Sequence, residues 1–342
     1  MQIIFLLHRI RVIKIIIALF LLMQSFDIAW SQDKTQQINR STENQYIKWI
    51  SSYPLSEKKN KNNGLKKRLA NFIFGKSPII INKPLNILAQ NPDFFWILDQ
   101  GSGKIININH NSAVLPRFLN KSLNGFSSLV GICYVNNDIL LFTDSRLNQI
   151  FLIDLADKEV VTLNDSLILN QPTGIAYSKI TDEIWVVETN THRLSVLDKN
   201  GNIKKRIGKR GNKNAEFNFP TFIWIDKIGN IYVVDSMNFR IQIFNKNGDF
   251  VSTFGEIGDA TGYFARPKGI ATDSFGNIYI ADALFHVIQI FDKKGNFLYK
   301  FGEQGHENGQ FWMPSGIFID DNNYIYVADS YNSRIQIFKL MK

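Results

Sequence analysis

Cysteine and histidine are scarce in this chain of 342 residues, and their scarcity limits the chemistry that it can support. A single cysteine, Cys133, excludes an internal disulfide and any metal site built from several cysteines. Because it lies in the apolar run LVGICYV, Cys133 is predicted to be a small buried side chain and not a nucleophile. The histidines outside the N-terminal segment, His110, His192, His286 and His306, are scattered over different loops, so we expect them to be exposed to solvent, with a metal site as the alternative.

Long apolar runs are also lacking, apart from one near the N-terminus. The run IIIALFLLMQSF (15–26) follows three basic residues and precedes Ala29-Trp30-Ser31, a small-x-small cleavage site. A run of this length is too short to span a bilayer. These features predict a signal peptide at 1–31 and an exported, periplasmic or extracellular protein. If the apolar run extends back through Ile10, the segment is instead an uncleaved membrane anchor.

The formal net charge of +9 is concentrated near the N-terminus. Residues 32–83 contain eleven lysines and arginines against three acids, whereas 84–342 contain 25 basic and 26 acidic residues. A nucleic-acid-binding protein would carry its positive charge on the folded surface, so nucleic acid is a disfavoured partner. We assign 32–65 to a basic N-terminal extension. Its basic run, continuing to residue 68, is predicted to be a solvated loop, with a phosphate or anionic-lipid patch as the alternative.

What the chain does contain is a hexapeptide that recurs six times, each copy rich in apolar residues and ending in an acid. The copies are FFWILD (94–99), ILLFTD (139–144), EIWVVE (183–188), NIYVVD (230–235), NIYIAD (277–282) and YIYVAD (324–329). The repeat acids are therefore Asp99, Asp144, Glu188, Asp235, Asp282 and Asp329. Their spacing of 44 to 47 residues indicates a repeat architecture in which each unit stacks on the next.

The fifth copy shows what one repeat contains. Between Pro267 and Gly302, four short β-branched and aromatic runs alternate with Gly/Asn/Asp turns, which is typical of a four-stranded antiparallel meander. No window shows the 3.6-residue period of a helix. We therefore predict an all-β, six-bladed β-propeller of four-stranded blades. Aromatic residues three positions before the acid in five copies are expected to pack between blades, a stacking platform for sugars or bases being the alternative.

The last repeat is incomplete, because too few residues follow Phe338 for a fourth strand. An open blade would leave an unpaired sheet edge. The stretch RLANFIFG (68–75) resembles the fourth strands that end in Phe254-Gly255 and Phe301-Gly302. We predict that residues 66–75 close the last blade as an N-terminal strand, so that the propeller spans 66–342. A surface strand ahead of the first blade is the alternative.

The unit P-x-G-I…G-N-I-Y-V-A-D-x-x-N-x-R-I-Q-I-F…F-G resembles the NHL repeat. The match is nearly complete at 220–255, 267–302 and 314–338, and it is degraded but in register in the first three copies. The segment from Trp49 to Gly75 is similar to the part that precedes the propeller in secreted bacterial six-bladed NHL proteins. The resemblance implies a module that binds proteins or small ligands, although calcium-dependent lactonases and zinc-dependent lyases share the fold class.

In four repeats a basic residue follows the acid by five positions: Lys104, Arg193, Arg240 and Arg334. The acid and the base close the same turn of an antiparallel blade, so we expect a structural, charge-assisted pair within each of these repeats.

The residues after the repeat proline, or at its aligned position, are predicted to line the start of the central channel: Leu85, Val130, Thr173, Thr221, Lys268 and Ser315. This channel ring has no His, Asp or Glu, and Lys268 is its only titratable member. It offers no metal cage and no acid–base pair. We therefore predict no metal, no cofactor and no catalysis. The alternatives are an extracytoplasmic metal-dependent lyase or hydrolase and, second, a nucleic-acid-binding NHL propeller.

The predicted function is an exported binding module for a protein or a small molecule. The loop after each repeat acid and the connection to the next blade emerge on one face of the propeller. The residues predicted to bind there are Arg210, Tyr263, Arg266, Lys268 and Trp312. Arginine and aromatic side chains are the types enriched in interface hot spots. The phenylalanines that recur at one position of the connections, Phe217, Phe264 and Phe311, are expected to anchor the following blade.

Overall fold

The computed structural model describes residues 46–54, 80–110, 112–114, 126–165 and 167–341. Over these residues the chain forms 24 strands in six four-stranded sheets, with two single-turn 3-10 helices at Ser236–Asn238 and Ser330–Asn332. No helix in this described part is long and apolar enough to cross a membrane. The all-β class and the six blades predicted from the repeat are confirmed.

Each sheet is one blade, and strands are numbered along the chain from β1 (Tyr46–Tyr53). Blade 1 contains β2 (Pro84–Asn91), β3 (Phe94–Asp99), β4 (Lys104–Asn109) and β5 (Ser112–Val114). Blade 2 contains β6 (Leu129–Tyr134), β7 (Ile139–Asp144), β8 (Gln149–Asp154) and β9 (Glu159–Thr162). Blade 3 contains β10 (Pro172–Ser178), β11 (Glu183–Glu188), β12 (Arg193–Leu197) and β13 (Ile203–Ile207).

The last three blades are the most regular. Blade 4 contains β14 (Pro220–Ile225), β15 (Ile231–Asp235), β16 (Arg240–Phe244) and β17 (Phe250–Phe254). Blade 5 contains β18 (Pro267–Thr272), β19 (Ile278–Asp282), β20 (Val287–Phe291) and β21 (Phe297–Phe301). Blade 6 contains β22 (Pro314–Ile319), β23 (Tyr324–Asp329), β24 (Arg334–Met341) and, as its fourth strand, β1.

The first strand of every blade carries a β-bulge close to its start. In blade 5 the register with the second strand shifts between Pro267 and Ile270, and the other five blades show the same irregularity. A bulge re-aims the side chains within it. The bulge therefore sets the direction of the residue that follows the repeat proline.

Aromatic and aliphatic side chains fill the space between neighbouring blades. Tyr326 of blade 6 packs with Phe95 and Ile97 of blade 1, and its ring centroid lies 5.9 Å from that of Phe95. The other aromatic residues at this repeat position are also buried, which confirms the predicted packing between blades. In blades 4 to 6 the residue is a tyrosine, whose hydroxyl also donates to an aspartate of the first hairpin, 2.9 Å away for Tyr326 and Asp320. The second strand is thereby tied to the turn that precedes it.

An N-terminal strand closes blade 6, as predicted, but the segment predicted for this role is wrong. The strand order of the sheet is β1-β24-β23-β22, so residues 46–53 occupy the position assigned to residues 66–75. The segment 66–75 lies outside the described residues. Trp49 Nε1 donates to Gln336 Oε1 at 3.1 Å. Ile47 and Trp49 pack against the blade 5–6 cluster, a group of buried apolar side chains that includes Ile288, Ile290, Ile325 and Phe338. Fourth strands are outermost and half exposed, so their sequence pattern is weak and two N-terminal segments fit it.

Candidate functional site

Each repeat acid is completely buried at the end of the second strand of its blade. Its carboxylate accepts hydrogen bonds from backbone N–H groups just before the first strand. The N–H groups of Asn82 and Lys83 donate to Asp99 at 3.0 and 2.6 Å, and the same arrangement recurs at Asp282. The repeat acid therefore holds the entry of the innermost strand. We call the side of the propeller that carries these acids the acid face.

Three of the basic residues five positions after an acid contact it directly. The distances are 2.9 Å for Arg193–Glu188, 2.8 Å for Arg240–Asp235 and 2.7 Å for Arg334–Asp329. The guanidinium groups of Arg240 and Arg334 also donate to backbone carbonyls of the preceding inter-blade connection. This geometry is that of a structural ion pair that fixes a loop.

The remaining acids find other partners. Asp99 accepts from Ser102 Oγ at 2.7 Å, and Asp144 accepts from the backbone N–H groups of the turn that follows it. Among the described residues, no ion pair is recorded for Lys104. In blade 5 Val287 replaces the arginine, so Asp282 has backbone donors and no cation, and burial raises its pKa.

Sequence reasoning overlooked a buried glutamine that completes this network in blades 4 to 6. Gln336 Nε2 donates to the carbonyl of Gln310 and to Asp329, while Gln336 Oε1 accepts from the N–H of Gly309. Gln242 and Gln289 occupy the same position. The signal was present, because glutamine is the third residue in all three RIQIF-like runs.

Two histidines have a structural position, and one of them departs from the expected solvent exposure. His192 is 7% exposed, and its Nδ1 accepts from the N–H of Phe219 at 3.0 Å. His286 Nδ1 accepts from the N–H of Met313 in the same way, also at 3.0 Å. Both residues have positive φ, as do the equivalent residues of the other four blades. Each imidazole fastens its turn to the next blade, and burial lowers the pKa of both side chains.

No cluster of three or more His, Cys, Asp or Glu side chains in the described part of the chain is placed to hold a metal ion. His306, whose ring centroid lies 5.1 Å from that of Trp312, pairs through Nδ1 with Asn332 Oδ1 at 2.6 Å.

The structure brings three of the five predicted binding residues to one side of the acid face. Arg266 is exposed and Lys268 is largely buried; burial, followed by the charges of Arg266 and Lys83, lowers the pKa of Lys268 to about 8. Trp312 lies beside Tyr331 with ring centroids 6.0 Å apart, and Lys83 Nζ lies 5.0 Å from the centroid of the Tyr331 ring. Lys83 and Tyr331 were not identified from the sequence.

The other two predicted binding residues lie in outer connections. Arg210 pairs with Phe217 in an isolated bridge, and its charge contributes, after burial, to the lowered pKa of His192. The Tyr263 ring packs on Gly258, where an added Cβ would meet it at 2.4 Å. The phenylalanine anchors of these connections are fully buried. An added Cβ at Gly255, whose φ is +91°, would lie 2.2 Å from the Phe264 ring, which explains the glycine there.

Blades 5 and 6 lack a hydroxyl pair that blades 3 and 4 form at the channel ring. In blades 3 and 4 the ring hydroxyl pairs with the hydroxyl of the residue after the repeat acid, 2.7 Å for Thr173–Thr189 and 2.6 Å for Thr221–Ser236. In blade 5 these two positions hold Lys268 and Ala283. In blade 6, Ser330 Oγ donates to the carbonyl of Pro84, and Ser315 Oγ is buried without a partner. We call Lys83, Arg266 and Lys268 the cationic mouth.

Exposed apolar side chains are concentrated on blades 4 to 6 of the acid face. Phe219, Met237, Leu284, Trp312 and Tyr331 are each between 39% and 53% exposed, and we call this set the apolar arc. Met237, Leu284 and Tyr331 are the second residues after their repeat acids. The equivalent residues of blades 1 to 3 are Gly101, Arg146 and Asn190. Among the described residues, the position two after the repeat acid is therefore apolar in blades 4 to 6 and is not in blades 1 to 3.

The central channel widens on the opposite side of the propeller, the hairpin face, into a cavity of about 1010 Å³. Its deep end is lined by one isoleucine from each blade: Ile87, Ile132, Ile175, Ile223, Ile270 and Ile317. Trp224 forms part of the wall, with Nε1 donating to Thr272 Oγ1 at 2.9 Å and its ring 5.6 Å from that of Phe318. Three of the aspartates at its rim accept from their own turns and from a tyrosine hydroxyl, so they are committed to the fold.

Two family models match parts of the chain. Residues 135–241 match a family described as a 6-bladed beta-propeller, and residues 311–338 match the NHL repeat. No curated protein matches the chain.

Solved structures show the same fold at low sequence identity. Virginiamycin B lyase from Staphylococcus aureus is 16% identical with a TM-score of 0.54, over 76% of this chain and 96% of that one. An auxiliary nutrient binding protein from Bacteroides thetaiotaomicron is 14% identical with a TM-score of 0.61, over 77% of this chain and 70% of that one. These identities establish likeness of fold alone. The chain is therefore a six-bladed β-propeller that carries an NHL repeat at residues 311–338.

Proposed function

We propose that the chain is an exported binding protein that captures a protein or a small molecule on the acid face of blades 4 to 6, without catalytic activity of its own. The apolar arc is the observation that carries this proposal. Exposed large apolar side chains gathered on one face are typical of a binding surface, and Trp, Tyr, Phe and Met are enriched at interfaces. The arc lies beside the cationic mouth, so apolar area and charge are available to one ligand.

The cavity on the hairpin face is the competing location, because ligand sites are usually concave and lined by apolar groups. Such sites also need a few free polar groups that orient the ligand. In the cavity, Trp224 Nε1 is bonded to Thr272, and Lys227 of the rim pairs with Asp321 at 2.7 Å. At the acid face, Ser315 Oγ has no partner. Tyr134 OH, which lines the cavity, is also without a partner. The choice of the acid face therefore rests on the apolar arc.

The fold neighbours include both a binding protein and an enzyme. The Bacteroides thetaiotaomicron protein is described as nutrient binding, which accords with the proposal. The Staphylococcus aureus lyase is described as catalytically inactive when one histidine is replaced by alanine. In the present chain His192 and His286 accept hydrogen bonds from the backbone of the next blade through Nδ1, and this role favours structure over lyase chemistry.

Replacing both Trp312 and Tyr331 by alanine should weaken capture of the ligand by about 30-fold or more, because an aromatic anchor contributes on the order of 2 kcal/mol. Both rings are about half exposed, so the melting temperature should change little. The measurement is capture from an envelope extract by the immobilised mature protein, followed by titration with the purified ligand. Val161→Ala is the matched control, since Val161 is an exposed apolar residue of the outermost strand of blade 2 and does not line the cavity.

Undiminished affinity in the double variant contradicts the proposed face, and loss of binding in Trp224→Ala instead would place the ligand in the cavity. A stoichiometric metal together with turnover of a lactone or amide substrate would contradict the absence of catalysis.

Export is the second part of the proposal, and the signal at 1–31 lies outside the described residues. The mature protein should begin near Gln32 and should fractionate outside the cytoplasm, because the apolar run is short and a cleavage site follows it. N-terminal sequencing of the protein from cell fractions tests this. An intact Met1 in the membrane fraction supports the anchor alternative, and an intact Met1 in the cytosol refutes export.

A further inference from the structure

We infer that the channel mouth on the acid face is an oxyanion-binding site, in which Lys268 and Ser315, flanked by Arg266 and Lys83, hold a carboxylate or phosphate group of the ligand. The inference deepens the proposed function and rests on it for the choice of face. It names the chemical group that the ligand presents to the channel.

The first argument is that the cationic mouth lacks counter-ions. Among the described residues no ion pair is recorded for Lys83, Arg266 or Lys268, whereas Arg240 and Arg334 are paired with buried acids. Lys268 is largely buried, and a buried ammonium without a counter-ion is unfavourable. A bound oxyanion supplies the missing negative charge.

The second argument is the unpartnered hydroxyl of Ser315. This side chain is 4% exposed, and its Oγ has no hydrogen-bond partner. The equivalent hydroxyl groups of Thr173 and Thr221 are both bonded within their blades. Buried polar groups nearly always have a partner, so an unpartnered hydroxyl on the strand next to that of Lys268 is a position that a ligand oxygen can fill.

The third argument is that Lys268 and Ser315 lie at the same level on adjacent innermost strands. A Cβ added to Gly269 would lie 2.5 Å from the backbone oxygen of Ser315, so glycine lets blades 5 and 6 approach closely here. Lys268 and Ser315 both lie in the bulges of their strands, which direct them away from the regular ladder. The ammonium and the hydroxyl can therefore serve one small group.

The chemistry of these side chains defines the ligand group. An ammonium, a guanidinium and a hydroxyl all donate hydrogen bonds, and carboxylate or phosphate oxygens accept them in strong charge-assisted contacts. The apolar arc borders the mouth through Tyr331, whose ring lies under Lys83 Nζ. A ligand with an anionic end and an apolar body therefore uses both features at once.

Binding at this site has a characteristic pH dependence. The charged groups that act on Lys268 are Arg266 of its own blade and Lys83 of blade 1, both cationic, and with burial they lower its pKa to about 8. An anion favours the protonated ammonium, so affinity should fall as the pH rises through about 8. In the free protein the depressed pKa means that charged Lys268 opposes folding below about pH 8, and that this penalty disappears above the unfolded pKa of about 10.4.

The test is calorimetric titration of the full chain with inorganic phosphate and, separately, acetate, at low salt and pH 7. Lys268→Met should lower the affinity by about tenfold or more and Ser315→Ala by a few-fold, as expected for hydrogen bonds to a charged group. Lys199→Met, which removes an exposed lysine on the hairpin face, should have no effect. Lys268→Arg should retain binding but lose the decline of acetate affinity between pH 7 and 9. The stronger of the two probes identifies the group.

Folding of Lys268→Met is checked by its melting temperature. At pH 7 this temperature should exceed that of the wild-type chain, because the buried charge is removed, and the two should converge above about pH 10, where Lys268 is neutral in both states. The inference is overturned if Lys268→Met binds both probes as the wild-type chain does, or if neither probe binds the wild-type chain. The proposed function is tested separately, by the double variant of Trp312 and Tyr331. If the probes bind through Lys268 while the arc variant captures its ligand normally, the proposed face fails and the oxyanion site remains.

Discussion

A chain that begins after Pro54 should unfold at a markedly lower temperature than one that begins at Tyr46. The shorter chain lacks β1, so β24 becomes an unpaired edge and the packing of Ile47 and Trp49 on the blade 5–6 cluster is lost. Two apolar side chains and a strand of backbone pairing correspond to a loss on the order of 5 kcal/mol in the free energy of unfolding. Denaturant titration of the two chains measures this difference in the free energy of unfolding.

Point variants within β1 give the matched control. Trp49→Ala should cost about 2–3 kcal/mol, because the indole contacts the cluster and donates to Gln336. Ile50, the next residue, is among the exposed large apolar side chains, and Ile50→Ala should cost less than about 1 kcal/mol. Equal unfolding midpoints for the chains beginning at Tyr46 and after Pro54 would show that β1 contributes nothing to closure.

The number and type of blades could be predicted from the sequence because each repeat carries its own signals. The acid that ends the second strand, the β-branched runs and the Gly/Asn/Asp turns are local, and their period fixes how many units stack. The closing strand could not be identified with the same certainty. Its partner β24 lies at the far end of the chain, and the alternation in YIKWISSY is no stronger than that in RLANFIFG.

The site was partly predictable for a similar reason. Arg266, Lys268 and Trp312 lie in the repeats whose faces the pattern defines, so the sequence could point to them. Lys83 lies at the entry of blade 1 and Tyr331 in blade 6, far apart in the sequence, and they meet because the ring closes. The hydroxyl of Ser315 is unpartnered although the equivalent hydroxyl groups of Thr173 and Thr221 are bonded within their blades. Such facts depend on tertiary contacts and have no signature within one repeat.

Asp329→Asn should destabilise the protein by about 3–5 kcal/mol, because it leaves a nearly buried guanidinium without its counter-ion. The Asp329 carboxylate accepts from the N–H of Trp312 at 2.7 Å, Asn332 Nδ2 at 2.8 Å, Arg334 Nε at 2.7 Å and Gln336 Nε2 at 3.0 Å. An asparagine replaces one acceptor oxygen by a donor NH₂ group, which then faces other donors. Chemical denaturation at pH 7 measures the loss, and a cost below about 1 kcal/mol would contradict the structural role of the pair.

Asp282→Asn is the matched control for that loss, because blade 5 has the same acid without an arginine. Asp282 accepts from the N–H groups of Ala265 and Arg266, which the carbonyl of an asparagine can replace in part, so the cost should be about 1 kcal/mol or less. Burial raises the pKa of Asp282 above its usual value of about 3.9. A raised carboxyl pKa stabilises the fold below the unfolded pKa, and this contribution is lost as the pH rises through the folded pKa. The wild-type chain should therefore lose stability relative to Asp282→Asn over that interval.

Val287→Arg should supply the missing cation in blade 5, so that in this background Asp282→Asn becomes as costly as Asp329→Asn. If Asp282→Asn costs no more stability in the Val287→Arg background than in the wild-type chain, the arginine does not act through the repeat acid.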